Sequence, residues 1–162
     1  MRKLLVLVLV TMLASCGFHM RGQQKLAFER IAVTPQNSQL TLLLKREIRE
    51  GGNAQVADAT DKTAYRLEIL SEVSDRIILS LDATGQVREC EFRYKVAFRL
   101  IDPRGEVVLP KGELFLTRLM SYDISEILAK ASEANLLYSN MRRDAANQII
   151  RRLAAVRIDE NR

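Results

Sequence analysis

The sequence is poor in the side chains that most often perform catalysis or bind metal ions. It has no tryptophan, a single histidine, His19, and two cysteines, Cys16 and Cys90. A catalytic triad needs a histidine within a pocket, and a histidine-rich metal site needs several of them. No glycine-rich phosphate loop is present either. We therefore predict that the protein is not an enzyme and that it has no metal site and no dissociable cofactor.

Proline and glycine are also scarce, with three and seven residues, and there is no biased tract or internal repeat. This composition argues against long linkers and predicts one domain, residues 31–158, followed by a frayed tail at residues 159–162. The formal net charge is +5, but losing Arg2 and Lys3 with the leader leaves 23 basic against 20 acidic residues, or +3. The basic excess is therefore weak evidence for nucleic acid, and we predict no nucleic acid partner.

An apolar leader opens the chain. Arg2 and Lys3 precede an apolar run of about ten residues that ends at Leu13, whereas a helix needs about 20 residues to span a bilayer. The end of the run, Leu13-Ala14-Ser15-Cys16, resembles the lipobox of bacterial lipoproteins. In a lipobox the cysteine is acylated and becomes the mature N-terminus. We predict a signal peptide at residues 1–15 that is removed.

The predicted lipidated N-terminus and lead-in cover residues 16–30. Diacylglycerol and an N-acyl chain on Cys16 would anchor the protein stably, because two or more acyl chains give strong membrane binding. Gly17 follows the cysteine, where an aspartate would favour inner-membrane retention in enterobacterial lipoproteins. The predicted location is therefore the cell outer membrane, with the protein attached by lipid.

The residue pattern in the first part of the domain predicts a strand, a helix and a second short strand. Ile31-Ala32-Val33 fits a buried strand that stops at Thr34-Pro35. Asn37 or Ser38 can cap a helix whose leucines recur at helical spacing, and Gly51-Gly52 ends it. Ala54-Gln55-Val56 fits a further short strand.

From Tyr65 the apolar period changes to two, which predicts an antiparallel meander. Its first strand extends to Leu81 and its turns lie at residues 82–85 and 102–105. A third strand over residues 106–121 is interrupted at Pro110. The residues predicted to face the core are Tyr65, Leu67, Ile69 and Val73 in the first strand, and Cys90, Phe92, Tyr94, Val96, Phe98 and Leu100 in the second.

A long helix is predicted from about Ile124 to Val156. Its apolar stripe is formed by Ile124, Ile127, Ala131, Ala134, Tyr138, Met141, Ala145, Ile149, Leu153 and Val156. The whole order predicts an α+β two-layer sandwich. Two amphipathic helices would pack on one face of a mostly antiparallel sheet of about four strands.

Two candidate features have both a functional and a structural interpretation. Cys90 could be a nucleophile, but its place in the apolar alternation favours a small core side chain. Basic residues could bind the phosphates of an anionic glycolipid, or they could form a solvated face neutralised by Glu89 and Glu91. Composition favours the solvated face. The basic residues concerned are Arg88, Arg93, Lys95, Arg99 and Lys130.

The segment Cys16-Gly17-Phe18-His19-Met20-Arg21-Gly22 resembles the C-G-[WF]-H-L-R-[GD] motif of the LPS-assembly lipoprotein LptE family, also called rare lipoprotein B. Gly85-Gln86 before a strand, and Ala129-Lys130 with Glu133, add weaker matches. The resemblance implies a non-enzymatic partner that plugs the outer-membrane β-barrel LptD and helps lipopolysaccharide reach the outer leaflet. Lys130 matches a family lysine implicated in lipopolysaccharide contact. The family's basic loop residue is missing at Asp82-Ala83-Thr84, and Arg88 is a nearby substitute.

Two functions therefore remain open from the sequence. The first is a structural lipoprotein of the LptD barrel, facing the periplasm or lying inside the barrel lumen. The second is a periplasm-facing lipoprotein that binds an anionic amphiphile without a barrel partner. The candidate lipopolysaccharide contacts are Lys130 and Arg88, and the lipidation site is Cys16.

Overall fold

The computed structural model describes residues 25–122 and 127–157. The signal peptide, the lipidation site Cys16, the motif around His19, the first residues predicted for the long helix and the tail at 159–162 lie outside the described residues. The elements, in chain order, are β1 (Arg30–Thr34), α1 (Gln39–Gly51), β2 (Gln55–Ala57), β3 (Tyr65–Leu81), β4 (Val87–Ile101), β5 (Val107–Ser121) and α2 (Ile127–Ala154).

One mixed sheet holds the strands in the order β2-β1-β3-β4-β5. The strand β1 runs parallel to both β2 and β3, whereas β3, β4 and β5 form an antiparallel meander. The predicted α+β sandwich is confirmed. The sheet has five strands instead of about four, because residues Gln55–Ala57 pair with β1 as a full member of the sheet.

Local signals set the ends of α1 as the sequence predicted. The Ser38 side chain accepts a hydrogen bond from the Thr41 N–H at 3.0 Å and so caps the first turn. Gly52 follows the last turn with a φ of 73°, a conformation that glycine adopts at little cost. Leu40, Leu44 and Ile48 form the buried face of the helix.

The long hairpins have two ends, here named the tip and the base. The "tip" is the end that holds the β3–β4 turn at residues 82–86. The "base" is the opposite end, with the β4–β5 turn at residues 102–106 and the strands β1 and β2. Each turn is closed by an aspartate, Asp82 or Asp102, whose carboxylate accepts backbone N–H groups.

The strand β5 is continuous through Pro110, contrary to the predicted interruption. Phe98 pairs with Gly112 and Leu100 with Leu109, so β5 contains one residue more than β4 at this point and forms a bulge. Because β5 is an edge strand, the missing N–H of the proline removes no bond needed by a further strand.

Both helices pack on the same face of the sheet, and α2 runs from the tip to the base. Its buried stripe is Met141, Ala145, Ile149 and Leu153, all fully buried against β4 and β5 residues such as Phe92 and Phe98. The N-terminal part of the predicted stripe is not fully buried. Ala131 is exposed, because the first turns of the described helix extend beyond the core.

Candidate functional site

The sheet face opposite the helices is largely uncovered, and it is called the open face here. Cross-strand pairs place Val73, Lys95 and Phe115 in one row, and Asp75, Arg93 and Thr117 in the next. A third row holds Ile77, Glu91 and Leu119. Phe115 is 57% exposed and Leu119 is 71% exposed. The open face thus mixes large apolar side chains with charged ones.

A β-bulge brings Val73 to the open face, where the sequence had placed it in the core. Ile69 pairs with Phe98 but Ser71 pairs with Ala97, so Leu70 is an extra residue in β3. The extra residue reverses the alternation that follows it. Val73 is 48% exposed as a result, and Glu72 turns to the helix-covered face.

Most of the basic residues on the open face are close to a carboxylate or an aromatic ring. Arg93 pairs with Glu91 on its own strand, and the Arg99 Nε lies 2.7 Å from a carboxylate oxygen of Glu68. The Lys95 ammonium lies 5.3 Å from the centroid of the Phe115 ring. The geometry therefore favours the neutralised, solvated face over a phosphate-binding row, although Glu89 accepts from Ser80 and not from an arginine.

The helix-covered face carries a polar network at the centre of β3 and β4. The Tyr94 hydroxyl donates to the Glu72 carboxylate at 2.7 Å, and the Arg142 Nε of α2 lies 3.9 Å from the same oxygen. Burial, and then the hydrogen bond to Glu72, raise the pKa of Tyr94. The Tyr138 hydroxyl of α2 donates to the Asp75 carbonyl at 2.8 Å, and burial raises the pKa of Tyr138. These bonds fix α2 over the sheet.

Lys130 and Arg88 lie toward the same end of the molecule, the tip. The Tyr138 and Phe92 rings are in edge contact with centroids 5.3 Å apart. Lys130 lies about two helical turns before Tyr138, and Arg88 lies four strand residues before Phe92. Both residues are therefore about 12 Å closer to the tip than this ring contact. The two predicted glycolipid contacts therefore lie at the same end of the domain, and their role as contacts stays a prediction.

Their surroundings differ from those that the sequence indicated. The Lys130 side chain is only 16% exposed, and its ammonium lies 2.8 Å from the Glu133 carboxylate. Arg88 is exposed, and its carbonyl accepts from the Tyr122 N–H at 2.8 Å. Arg88 does not continue the row of Arg93, Lys95 and Arg99. These three residues are odd-numbered and face the open side of β4, whereas Arg88 is even-numbered. A bulge in the pairing with β3 also falls at Arg88.

The described residues contain no cluster of three or more metal-ligating side chains. Cys90 is fully buried in the core cluster, in agreement with its predicted role as a small core side chain. Within residues 25–122 and 127–157 we also find no helix with the length and apolar character required to cross a bilayer.

Comparison with known proteins gives one consistent family. The sequence model of the family described as "LptE: Lipopolysaccharide-assembly" matches residues 28–153. The "LPS-assembly lipoprotein LptE" of Pectobacterium atrosepticum is 26% identical over 153 residues, which cover 92% of this chain and 81% of that protein.

Solved structures share the fold, among them the two that follow. The solution NMR structure of uncharacterized lipoprotein B from Nitrosomonas europaea has a TM-score of 0.73 and 36% identity, covering 86% of this chain and 91% of that one. The crystal structure of the rare lipoprotein B from Shewanella oneidensis has a TM-score of 0.67 and 28% identity, covering 78% of this chain and 95% of that one. The likeness therefore extends over most of the chain.

Proposed function

Because the chain belongs to the LptE lipopolysaccharide-assembly family, we propose that it acts as an outer-membrane lipoprotein whose partner is the β-barrel LptD. It supports assembly of the barrel, plugs its lumen and assists delivery of lipopolysaccharide to the outer leaflet. Acyl chains on Cys16 hold it at the membrane. The role is one of binding and support, and it requires no catalytic group.

The observation that carries this proposal is the family match over residues 28–153, which spans all five strands and most of α2. The surface of the domain is compatible with a plug. The lumen of a membrane barrel is polar, and this domain exposes ion-paired residues on the open face and arginines on α2. Exposed apolar side chains such as Phe115 and Leu119 add contact area between the charges.

The test is affinity purification of the full-length protein from outer membranes in mild detergent, followed by mass spectrometry. We expect a large β-barrel protein to be recovered at a stoichiometry close to one to one. The matched control is the Cys16→Ser chain, which lacks the acylation site and should recover much less barrel. Recovery of the acylated protein as a free monomer would contradict the proposal.

A second candidate function is binding of an anionic amphiphile without a barrel partner, and it rests on the position of Lys130 and Arg88 at the tip. Their charges could meet phosphate groups of a lipid headgroup. Charge reversal of both residues, Lys130→Glu with Arg88→Glu, should then abolish binding of lipopolysaccharide to the purified protein. The matched control is Arg151→Glu, an exposed residue of α2 near the base. Equal binding by the tip variant and the control would exclude this function.

A further inference from the structure

The two helices leave a groove between them, with a volume of about 400 Å³. Residues three or four positions apart lie on one side of a helix, and this spacing brings two turns of α1 and one turn of α2 to the groove. The residues that line it are Gln39, Leu42, Leu43 and Arg46 from α1, and Ser139 and Arg142 from α2.

The two arginines of the groove are held only loosely by their carboxylate partners. The Arg46 Nε lies 3.6 Å from Glu50, and the Arg142 Nε lies 3.9 Å from Glu72. By comparison, the Arg118 guanidinium lies 2.7 Å from its carboxylate partner. A charge-assisted hydrogen bond between such groups measures about 2.7–2.9 Å. Both guanidinium groups of the groove can therefore bind a further carboxylate at a shorter distance.

Exposed leucines accompany these arginines. Leu42 lines the groove and is 59% exposed. Leu136 is 60% exposed and precedes Ser139 by three residues, about one helical turn. Within the helix residues whose exposure the structure describes, these two are the exposed large apolar side chains. Apolar surface beside arginines is typical of the centre of a protein–protein interface.

The other charges of the helices favour a protein partner over an anionic membrane surface. A bilayer of anionic lipids attracts a surface that is basic throughout, whereas both helices carry acidic residues among the basic ones. These acidic residues are Glu47 and Glu50 on α1, and Glu133 and Asp144 on α2. A small free anion is also a poor fit, because it would leave Leu42 and Leu136 exposed.

We propose that this groove binds an acidic segment of a protein partner, in which a carboxylate meets Arg46 and Arg142 and a neighbouring apolar side chain covers Leu42. The Ser139 hydroxyl and the Gln39 amide can donate to the remaining lone pairs of the carboxylate. The arginines select an acidic residue, and the leucines select a segment in which that residue has an apolar neighbour.

Photo-crosslinking of the full-length protein in cells identifies the occupant. A benzoyl-phenylalanine in place of Leu42 should attach to a protein, and the attached peptide, mapped by mass spectrometry, should contain an aspartate or glutamate beside an apolar residue. The matched control carries the same photoreactive residue in place of Val107, which is 53% exposed at the base, and it should not label that peptide. Attachment of the Leu42 position to lipid alone, or to no protein, would overturn the proposal.

Charge reversal then tests the role of the arginines. Arg46→Glu should lower the yield of the Leu42 cross-link at least about tenfold, because a like charge then faces the carboxylate. The matched control is Lys45→Glu, which makes the same change of charge about 100° around α1, outside the groove. Arg142→Gln is a second variant, and it should also lower the yield. Equal yields for Arg46→Glu and Lys45→Glu would overturn the proposal.

An exchange of charges makes the test specific to direct contact. Changing the mapped acidic residue of the partner to arginine should restore the cross-link to the Arg46→Glu chain, and a lack of restoration would overturn the direct contact. Circular dichroism of each variant checks that the fold is retained, which is expected because the Arg46 side chain is 58% exposed.

The occupant of the groove is independent of the proposed barrel partnership. Recovery of the barrel together with a cross-link that does not depend on Arg46 would reject the groove assignment alone. Recovery of a free monomer in the barrel purification, with a charge-dependent cross-link to another protein in cells, would reject the barrel partnership alone.

Discussion

The two faces of the meander formed by β3, β4 and β5 are built from the same strands, yet they have opposite roles. The helix-covered face buries Phe92, Tyr94 and Phe98 completely under α2. The open face exposes Phe115 and Leu119 among ion pairs. Both faces contain aromatic rings and charged residues, so composition alone does not separate them. The difference lies in whether a helix covers them, and it predicts which residues stabilise the fold and which remain available to partners.

The largest expected difference between the two faces is in the free energy of unfolding, and two phenylalanines test it. Each ring has a cation nearby, Arg152 at 5.6 Å from Phe98 and Lys95 at 5.3 Å from Phe115, but Phe98 is fully buried and Phe115 is not. Phe98→Ala should lower the free energy of unfolding by about 3–5 kcal/mol, because it leaves a cavity under α2. Phe115→Ala should change it by about 0.5 kcal/mol or less.

Urea denaturation of both variants, followed by circular dichroism, measures these free energies. Similar losses in the two variants would show that the open face contributes to the core, and the comparison between the faces would fail. A variant that changes only Phe115 should keep the thermal midpoint of the parent while altering association with partners.

The sequence predicted the covered face of β4 better than either face of β3. In β4 the alternation from Cys90 to Leu100 runs without a break on the core side, so a period of two assigns every residue. In β3 the bulge at Leu70 exchanges Glu72 and Val73 between the faces. A bulge at an ordinary leucine has no local sequence signature, because it depends on how β3 registers with β4. Pairing partners across 20 or more residues are not visible in a periodicity.

The same division between local and long-range contacts holds for the helix caps and for the candidate site. The caps at Ser38 and Gly52 were predictable because they depend on the nearest few residues. The grouping of Lys130 with Arg88 followed from the resemblance, whereas the contact of Lys130 with Glu133 is local to one helical turn. The neutralisation of Arg99 by Glu68 joins two strands, so only the sheet register reveals it.

The contact between Tyr94 and Glu72 gives a second prediction, with a smaller expected effect on stability. It exists because the bulge has placed the Glu72 carboxylate on the covered face. Tyr94→Phe removes the hydroxyl that donates to Glu72 and should cost about 1 kcal/mol at pH 8. The pKa of Tyr94 is raised above its ordinary value of 10.0. The folded state therefore holds this proton more tightly than the unfolded state, and the contribution is present below pH 10 and lost as the pH rises above it.

The advantage of the parent over Tyr94→Phe should accordingly shrink as the pH rises above 10. Denaturation midpoints of both proteins at several alkaline pH values measure this change. Tyr138 also has a raised pKa, but both proteins retain it, so its effect cancels in the difference. A difference that stays constant above pH 10 would mean that burial and the bond to Glu72 do not raise the pKa of Tyr94 in the folded state.

The smallest expected effect belongs to the ion pairs of the open face, and Glu68 tests them near the base. Its carboxylate accepts from Arg99 at 2.7 Å and lies 2.9 Å from the Nε of Arg66, and both arginine side chains are well exposed. Glu68→Gln keeps the shape and removes the charge. It should lower the free energy of unfolding by about 0.2–1 kcal/mol, since solvent screens exposed pairs. The loss should shrink further in about 0.5 M salt, as measured by urea denaturation at two salt concentrations. A loss of several kcal/mol that is insensitive to salt would mean that these charges are held away from water, and the open face would then have to be covered in the folded protein.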